Sequence, residues 1–255
     1  LLDLFSGGGG AALGYYLAGF RIIGVDHKPM PRFPFTFHQA DALEYLLEHG
    51  QEFDCIHCSP PCQAYSALKH LARKEHPMLI EETRRLLRAT GKPYVIENVV
   101  GAPLRWPLML CGTMFGLQTP CGAQLRRHRL FESNILLMSP GACQHGERTL
   151  GVNGHEFRNE ATHWEERRTF NGHGQHARDR AVRRDKNRTI TVTGTVPQQN
   201  VERNKIRETF SVDAARHAMG INWMPMKTLS QAIPPAYTQW VGAQILQRLH
   251  TQGAP

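Results

Sequence analysis

The chain contains no run of 18 or more apolar residues, so no bilayer-spanning helix is expected. Its start shows no basic, apolar, small-residue secretory pattern; Leu1 falls inside an apolar run, and native residues including the initiator Met are expected to precede it. Cysteine is sparse. The six are Cys55, Cys58, Cys62, Cys111, Cys121 and Cys143, and their spacing does not resemble a secreted disulfide framework. A reducing cytoplasm is the expected compartment. No G-K-[ST] follows the glycine run near the start, which argues against ATP hydrolysis. Internal repeats are absent. Lysine is scarce beside arginine, 7 against 23.

What is present is a 255-residue chain, 41% hydrophobic, long enough for one substantial core with or without a small lobe. The formal charge of +8 carried mostly by arginine suits a nucleic-acid partner, since guanidinium forks bind phosphates and base edges. A solvated basic surface is the other reading, and composition does not choose between them.

The first third alternates strand-like and helix-like segments. "LLDLF" reads as a buried strand that runs through "SGGGG" into the small-residue helix "AALGYYLAGF". "RIIGVD", "FDCIHCS" and "PYVIENV" read as further strands. In "MLIEETRRLLRATG" helical spacing puts Leu79, Thr83, Leu86 and Leu87 on one face, with Gly91 as the stop. This alternation predicts an α/β fold, a mainly parallel sheet with helices on both faces. The pattern changes after "HRLFES". From Ala142 to Arg188 only 11 of 47 residues are hydrophobic, and Arg167 to Arg188 holds eight Lys/Arg against two Asp/Glu. Loops, or order gained on a polyanion, are expected there; a surface insertion without function is the alternative. "RTITVTG" then reads as a strand, and the chain ends as helix, loop, helix.

Two constellations carry chemistry. In the first, glycines after a strand let backbone amides approach a nucleotide-type cofactor. Asp26 ends the second strand roughly 20 residues later, where a carboxylate holds ribose hydroxyls. Asp41 is placed to accept from an adenine amine; helix capping is the alternative for both acids. An NAD enzyme fits this part but leaves the C-terminal blocks unexplained. In the second, Cys62 follows Pro60 and Pro61 at a strand end, and Glu97 ends another strand. Parallel strands put both at one sheet edge, a thiol nucleophile beside an acid. A buried hydrophobe for Cys62 and a helix cap for Glu97 are the bland readings.

Six segments in order resemble the DNA (cytosine-5) methyltransferase family, small bacterial or phage type: "DLFSGGGG", "SPPCQAYS", "ENV", "RRHRLF", "MGINWM" and "SQAIPPAY". The resemblance covers about Leu1–Ser133 and Thr189–Leu249. It implies a Rossmann-like S-adenosylmethionine-dependent sheet over 1–133 and 208–255, with a small irregular target-recognition lobe over 134–207. It implies that Cys62 adds to C6 of a flipped-out cytosine, that Glu97 holds the base, and that Arg127 and Arg129 support them. S-adenosylmethionine would be bound by Phe5, Ser6, Gly7, Gly9, Asp26, His27, Asp41, Ala42, Pro60, Gln231 and Ala232. Pro61, Gln63, Ser66 and Asn98 would serve the DNA side. The implied partner is double-stranded DNA read sequence-specifically by a monomer, in a bacterial cell or phage-infected host and a restriction-modification setting.

The sequence departs from the family where Leu125 stands in place of a common Gln, and where Ser230-Gln231 stands in place of Gly-Asn. A tRNA cytosine methyltransferase and a non-catalytic DNA-binding relative are the competing functions. "CGT" at Cys111–Thr113 in place of the tRNA-type Cys-Phe-Thr weighs against the first. Cys121, Cys143 and His145 offer three zinc ligands, but no C-x-x-C pair lies in the lobe, and no metal centre is expected.

Overall fold

The computed structural model describes residues 1–61, 78–120, 122, 124–145, 149–150, 156–157, 189–190 and 211–252. In chain order these form β1 (Leu2–Leu4), α1 (Gly10–Ala18), β2 (Ile23–Asp26), β3 (Thr36–Gln39), α2 (Ala42–His49), β4 (Ile56–Cys58), α3 (Ile80–Thr90), β5 (Tyr94–Asn98), β6 (Leu108–Leu110), β7 (Gln124–Leu125), β8 (Arg129–Ser133), β9 (Thr149–Leu150), β10 (Glu156–Phe157), β11 (Thr189–Ile190), α4 (Val212–Met219), α5 (Met226–Leu229) and α6 (Pro235–Gln252). They divide into two compact units. The first is Leu1–Leu110, His128–Pro140 and Ala232–Pro255; the second is Cys111–Arg127 and Gly141–Gln231.

The first unit is built on a seven-stranded sheet in the order β3-β2-β1-β4-β5-β8-β6. The first five strands are mutually parallel, and β8 runs antiparallel to both β5 and β6. Side chains alternate across a strand, so each face has its own set. Leu2, Leu4, Val25, Ile56, Cys58, Tyr94 and Ile96 form one buried cluster with Ala42 and Leu46 of α2 and Leu86 and Leu87 of α3. The intervening residues, Asp3 and His57 among them, point the other way. There Tyr15 of α1 shares a hydrogen bond of 3.0 Å between its hydroxyl and His57 Nδ1. Helices therefore cover both faces, as the alternating pattern predicts.

Two glycines let α1 and α6 come close. A methyl group at Gly14 would lie 2.1 Å from the Pro235 carbonyl and 2.0 Å from Thr238 Oγ1. One at Gly242 would lie 2.9 Å from Ala18 Cβ. Thr238 Oγ1 donates across this contact to the Ala11 carbonyl at 2.9 Å. Pro235 opens α6 where its missing N–H has no helical partner to lose, and Tyr237, Val241 and Ile245 recur every fourth residue as its buried stripe.

The stretch read as one long helix forms α3, with Thr83, Leu86 and Leu87 buried. Gly91 stops it at φ 67°, its N–H donating to the Arg88 carbonyl. Arg84, also buried, forks onto Glu132 of β8 with Nε 2.6 Å from Oε1 and Nη2 2.8 Å from Oε2. Its Nη1 pairs with Glu81, and its Nη2 donates to the Pro103 carbonyl. Several elements, β8 among them, lie outside what the pattern predicts, and two of these are brief. They are α2, whose eight residues bury only Ala42 and Leu46, and β6, three residues held by β8.

In the second unit, Leu125 of β7 is fully buried; its N–H donates to the Leu117 carbonyl at 2.7 Å. Its Cβ fills the place a side chain on Gly112 would need. β7 pairs in parallel with β11, and β9 pairs antiparallel with β10. Thr189–Ile190 is the described part of the predicted strand "RTITVTG". Ser211 caps α4 by accepting from Ala214 N, and Gly220 ends it at φ 68°. The basic stretch from Arg167 to Arg188 lies outside the described residues.

Two outcomes are expected. Gly14→Ala must separate α1 from α6, since backbone is in the way, and should cost about 2 kcal/mol or more of unfolding free energy. Burial pushes His57 down to about 3 from the usual 6.5, so the unfolded chain takes up the proton first. Stability from this group is then lost as pH falls below 6.5. Between pH 7.5 and 5 the loss should be about 2 kcal/mol, read from urea midpoints. His57→Gln should flatten that slope; an unchanged slope would mean the ring does not stay neutral.

Candidate active site

The five parallel strands end at one edge, and the predicted cofactor residues between Phe5 and Pro60 lie at or just after those ends. Order along the sheet reverses beside β1, which has β2 on one side and β4 on the other. Such a reversal opens a crevice at the carboxyl ends of the strands. The glycine loop leaves β1 at this point, and the Pro60-Pro61 turn leaves β4.

Phe5 begins the loop at φ 55°, a left-handed conformation that costs a side-chain-bearing residue on the order of 1 kcal/mol. Ser6 N donates to the Val25 carbonyl, which pins the loop across the end of β2. Gly7 is at φ 51° and Gly9 at φ 85°. A methyl group on Gly9 would press on Pro34 at 2.9 Å, whereas none of its neighbours approaches within 4 Å of one on Gly7. Gly7 N donates to Asp26 Oδ2 at 3.0 Å, and Lys28 N to Oδ1 at the same distance. The buried Asp26 carboxylate thus organises the loop that a cofactor would meet. His27, largely exposed, lies with Nδ1 3.2 Å from Asp26 Oδ1. Asp41 caps α2, its Oδ1 accepting from Leu43 N at 2.8 Å and Glu44 N at 3.1 Å. Ala42 is buried as the first residue of that helix.

At the next two strand ends the predicted chemistry converges. Glu97 is buried on β5 and its Oε1 is 3.0 Å from Arg129 Nε on β8. Arg129 Nη1 donates to the His128 carbonyl at 2.8 Å. Asn98, also buried, donates from Nδ2 to the Pro60 carbonyl at 2.9 Å, and its Oδ1 accepts from Val99 N. One amide side chain therefore joins the end of β5 to the turn that leads through Pro61 into Cys62. Cys62, Gln63 and Ser66 lie outside the described residues, as does Cys121.

Arg127 belongs to the second unit. It is buried there, with Nη2 donating to the Ser230 carbonyl at 2.7 Å, so it anchors the segment that carries Gln231. Gln231 is exposed in the second unit, and Ala232 is buried in the first.

Beneath the edge are polar groups that sequence reasoning passed over. Asp3 is fully buried, and its carboxyl is pushed well above the usual range, first by burial and then by the charges of Asp26 and Glu97. His57 links Tyr15 to Ser59, its Nε2 2.9 Å from Ser59 Oγ, just ahead of Pro60. The available signal was a polar residue inside each apolar run, "LLDLF" and "CIHCS". Cys55 and Cys58 are buried. Desolvation pushes the first to about 12 and the second well up, so both behave as small hydrophobes. No helix among the described residues is long and apolar enough to cross a membrane.

The arrangement is a glycine cradle with a carboxylate behind it, next to an acid–guanidinium pair and a proline turn tied to the same strand. No family model matches the chain. Among curated proteins, it is similar to the Type II methyltransferase M.AquIA of Picosynechococcus sp., 32% identical over 120 residues. The match covers 40% of this chain and 48% of that protein, so the chain spans about half the length of the curated relative it matches. Over that part of its length, the chain is similar to a methyltransferase.

Proposed function

We propose that the protein is a DNA cytosine-C5 methyltransferase that works through a covalent bond from Cys62 to C6 of a flipped-out cytosine. The observation that carries this reading is the buried Glu97–Arg129 pair at the sheet edge, with Asn98 holding the turn that leads to Cys62. Similarity to a protein named as a Type II methyltransferase supports the reaction class.

S-adenosylmethionine supplies the methyl group when bound. The residues present fit it: Gly7 and Gly9 in left-handed backbone, open space beside Gly7, and the Asp26 carboxylate behind the loop. Phe5, Ser6, His27, Asp41, Ala42, Pro60, Gln231 and Ala232 are the further residues proposed to line its site. On the base side, the Cys62 thiolate forms a bond to C6 and electron density moves onto C5. Glu97 holds N3 and the exocyclic amine, stabilising the charge that attack creates. Arg129 fixes the Glu97 carboxylate, its Nε 3.0 Å from Oε1, and is proposed to contact the base O2 or help position Cys62. Once C5 carries the methyl group, a base removes the C5 proton, the electrons return to the ring, and the bond to Cys62 breaks. Pro61, Gln63 and Ser66 are proposed to face the DNA, and the stretch 134–207 to select the sequence, its basic residues binding phosphates.

Duplex DNA of diverse sequence and tRNA, each incubated with labelled S-adenosylmethionine, should give label in DNA only. Unlabelled DNA overturns the proposal, and labelled tRNA reassigns the substrate. Cys62→Ser should abolish turnover while DNA binding persists, and DNA containing 5-fluorocytosine should trap the wild-type chain covalently. Glu97→Gln should lower kcat by about 10²- to 10⁴-fold. Asn98→Ala, which frees the Pro60 carbonyl, should lower kcat with little change in S-adenosylmethionine affinity; an unchanged kcat would remove its positioning role.

A further inference from the structure

The second unit brings together two thiols and an imidazole that the proposed chemistry does not use. His145 Nε2 lies 2.9 Å from Cys143 Sγ and 3.3 Å from Cys111 Sγ. All three ligand atoms fall within 4.8 Å of one another. A tetrahedral zinc ion with Zn–S near 2.3 Å and Zn–N near 2.0 Å sets sulfur and nitrogen about 3.6 Å apart. His145 Nε2 therefore has to move away by about 0.3 Å from Cys111 Sγ and about 0.7 Å from Cys143 Sγ, shifts that side-chain rotation supplies, for the three atoms to surround one ion. Thiolate and imidazole together are the donor set that selects zinc over magnesium or calcium.

The backbone holds these donors from two separate stretches. Cys111 is fully buried and precedes the tight turn Gly112–Phe115, with Met114 N donating to its carbonyl at 3.0 Å. That turn is fixed from below, because Leu125 occupies the space beside Gly112. Cys143 and His145 alternate along the second stretch and are half-buried. Thr113 Oγ1, 3.5 Å from Cys143 Sγ, is positioned to donate to that sulfur as a thiolate, the kind of outer support that fixes a metal ligand. A cysteine that served only as a small hydrophobe would have no need of a shared imidazole at hydrogen-bond distance.

We propose that Cys111, Cys143 and His145 bind a structural zinc ion that joins the Gly112–Phe115 turn to the segment around Cys143. The ion replaces two thiol protons, which pass to solvent. Its binding free energy becomes folding free energy for the second unit. The site is independent of the proposed methyl transfer, and its test does not rely on turnover.

The full chain, purified without a histidine tag from zinc-supplemented cells, should contain one zinc per chain by elemental mass spectrometry. Replacing zinc by cobalt should produce a thiolate-to-metal charge-transfer band and the strong visible absorption of a four-coordinate ion. Chelation should lower the thermal midpoint of the wild-type chain. Cys143→Ser and His145→Ala should each weaken zinc binding at least tenfold. Trace zinc in a folded wild-type chain overturns the proposal, as does a cobalt spectrum without the thiolate band. A Cys111–Cys143 disulfide found by mass spectrometry of the freshly purified chain overturns it as well.

Discussion

Glu97 meets Arg129 because β8 runs against β5 instead of alongside it. The register sets Glu97 opposite Phe131 and Asn98 opposite Leu130, so residue 129 arrives at the edge where the parallel strands end. A parallel strand of the same five residues would carry it to the far edge, about 15 Å away. Alternation along β8 then divides the work between faces. Glu132 turns toward α3 and is gripped by the Arg84 fork, while Phe131 turns the other way and meets Tyr237 of α6 edge-on. Arg129 shares the Phe131 face, and Glu97 shares it on the neighbouring strand. A buried ion pair is a poor source of net stability, but breaking one is costly, often 3–5 kcal/mol. The Arg84–Glu132 pair is therefore better understood as fixing where β8 lies and which way it faces.

That edge concentrates three acids, and each is handled differently. Asp26 receives two backbone N–H groups, Glu97 receives a guanidinium, and Asp3, fully buried, has its carboxyl pushed up by burial and by the charges of the other two. Had all three stayed charged without such partners, their desolvation would oppose folding. Burial pushes Asp3 up and His57 down, so in both the shift favours the uncharged form in the layer beneath the edge. Asp26, Glu97 and Arg129 stand at the ends of their strands, at the edge above that layer.

Much of this was legible in sequence because strand ends announce themselves. "LLDLF" before glycines, "RIIGVD" ending in an acid and "PYVIENV" ending in Glu-Asn each place a functional group by simple alternation of strand and loop. The sequence resemblance puts Asn98 on the DNA side; that its side chain reaches the Pro60 carbonyl depends on the β4–β5 pairing, which the sequence does not display. Leu125 stands where the family commonly has Gln; its burial against Gly112 shows a packing role that a single sequence cannot reveal. Arg127 and Arg129, two residues apart, fall in different units, since the chain passes between them at the start of β8. The α2 cap illustrates a real ambiguity: an Asp before "ALEYLLEH" satisfies helix amides whether or not it also meets a ligand.

Cysteine makes the dependence on surroundings plain. Cys55 and Cys58 sit in the sheet, where burial holds their protons and leaves them inert. Cys111 and Cys143 instead stand within reach of one imidazole, and two thiolates so close together repel each other unless a cation joins them. A divalent ion reverses that balance by replacing both protons. A nucleophile needs the opposite design: it must ionise without being captured, so that it can bond to carbon and leave again. An arginine serves that need because it offers positive charge and no bond to sulfur. Arg129, already held by Glu97 at the sheet edge, is such a cation among the described residues.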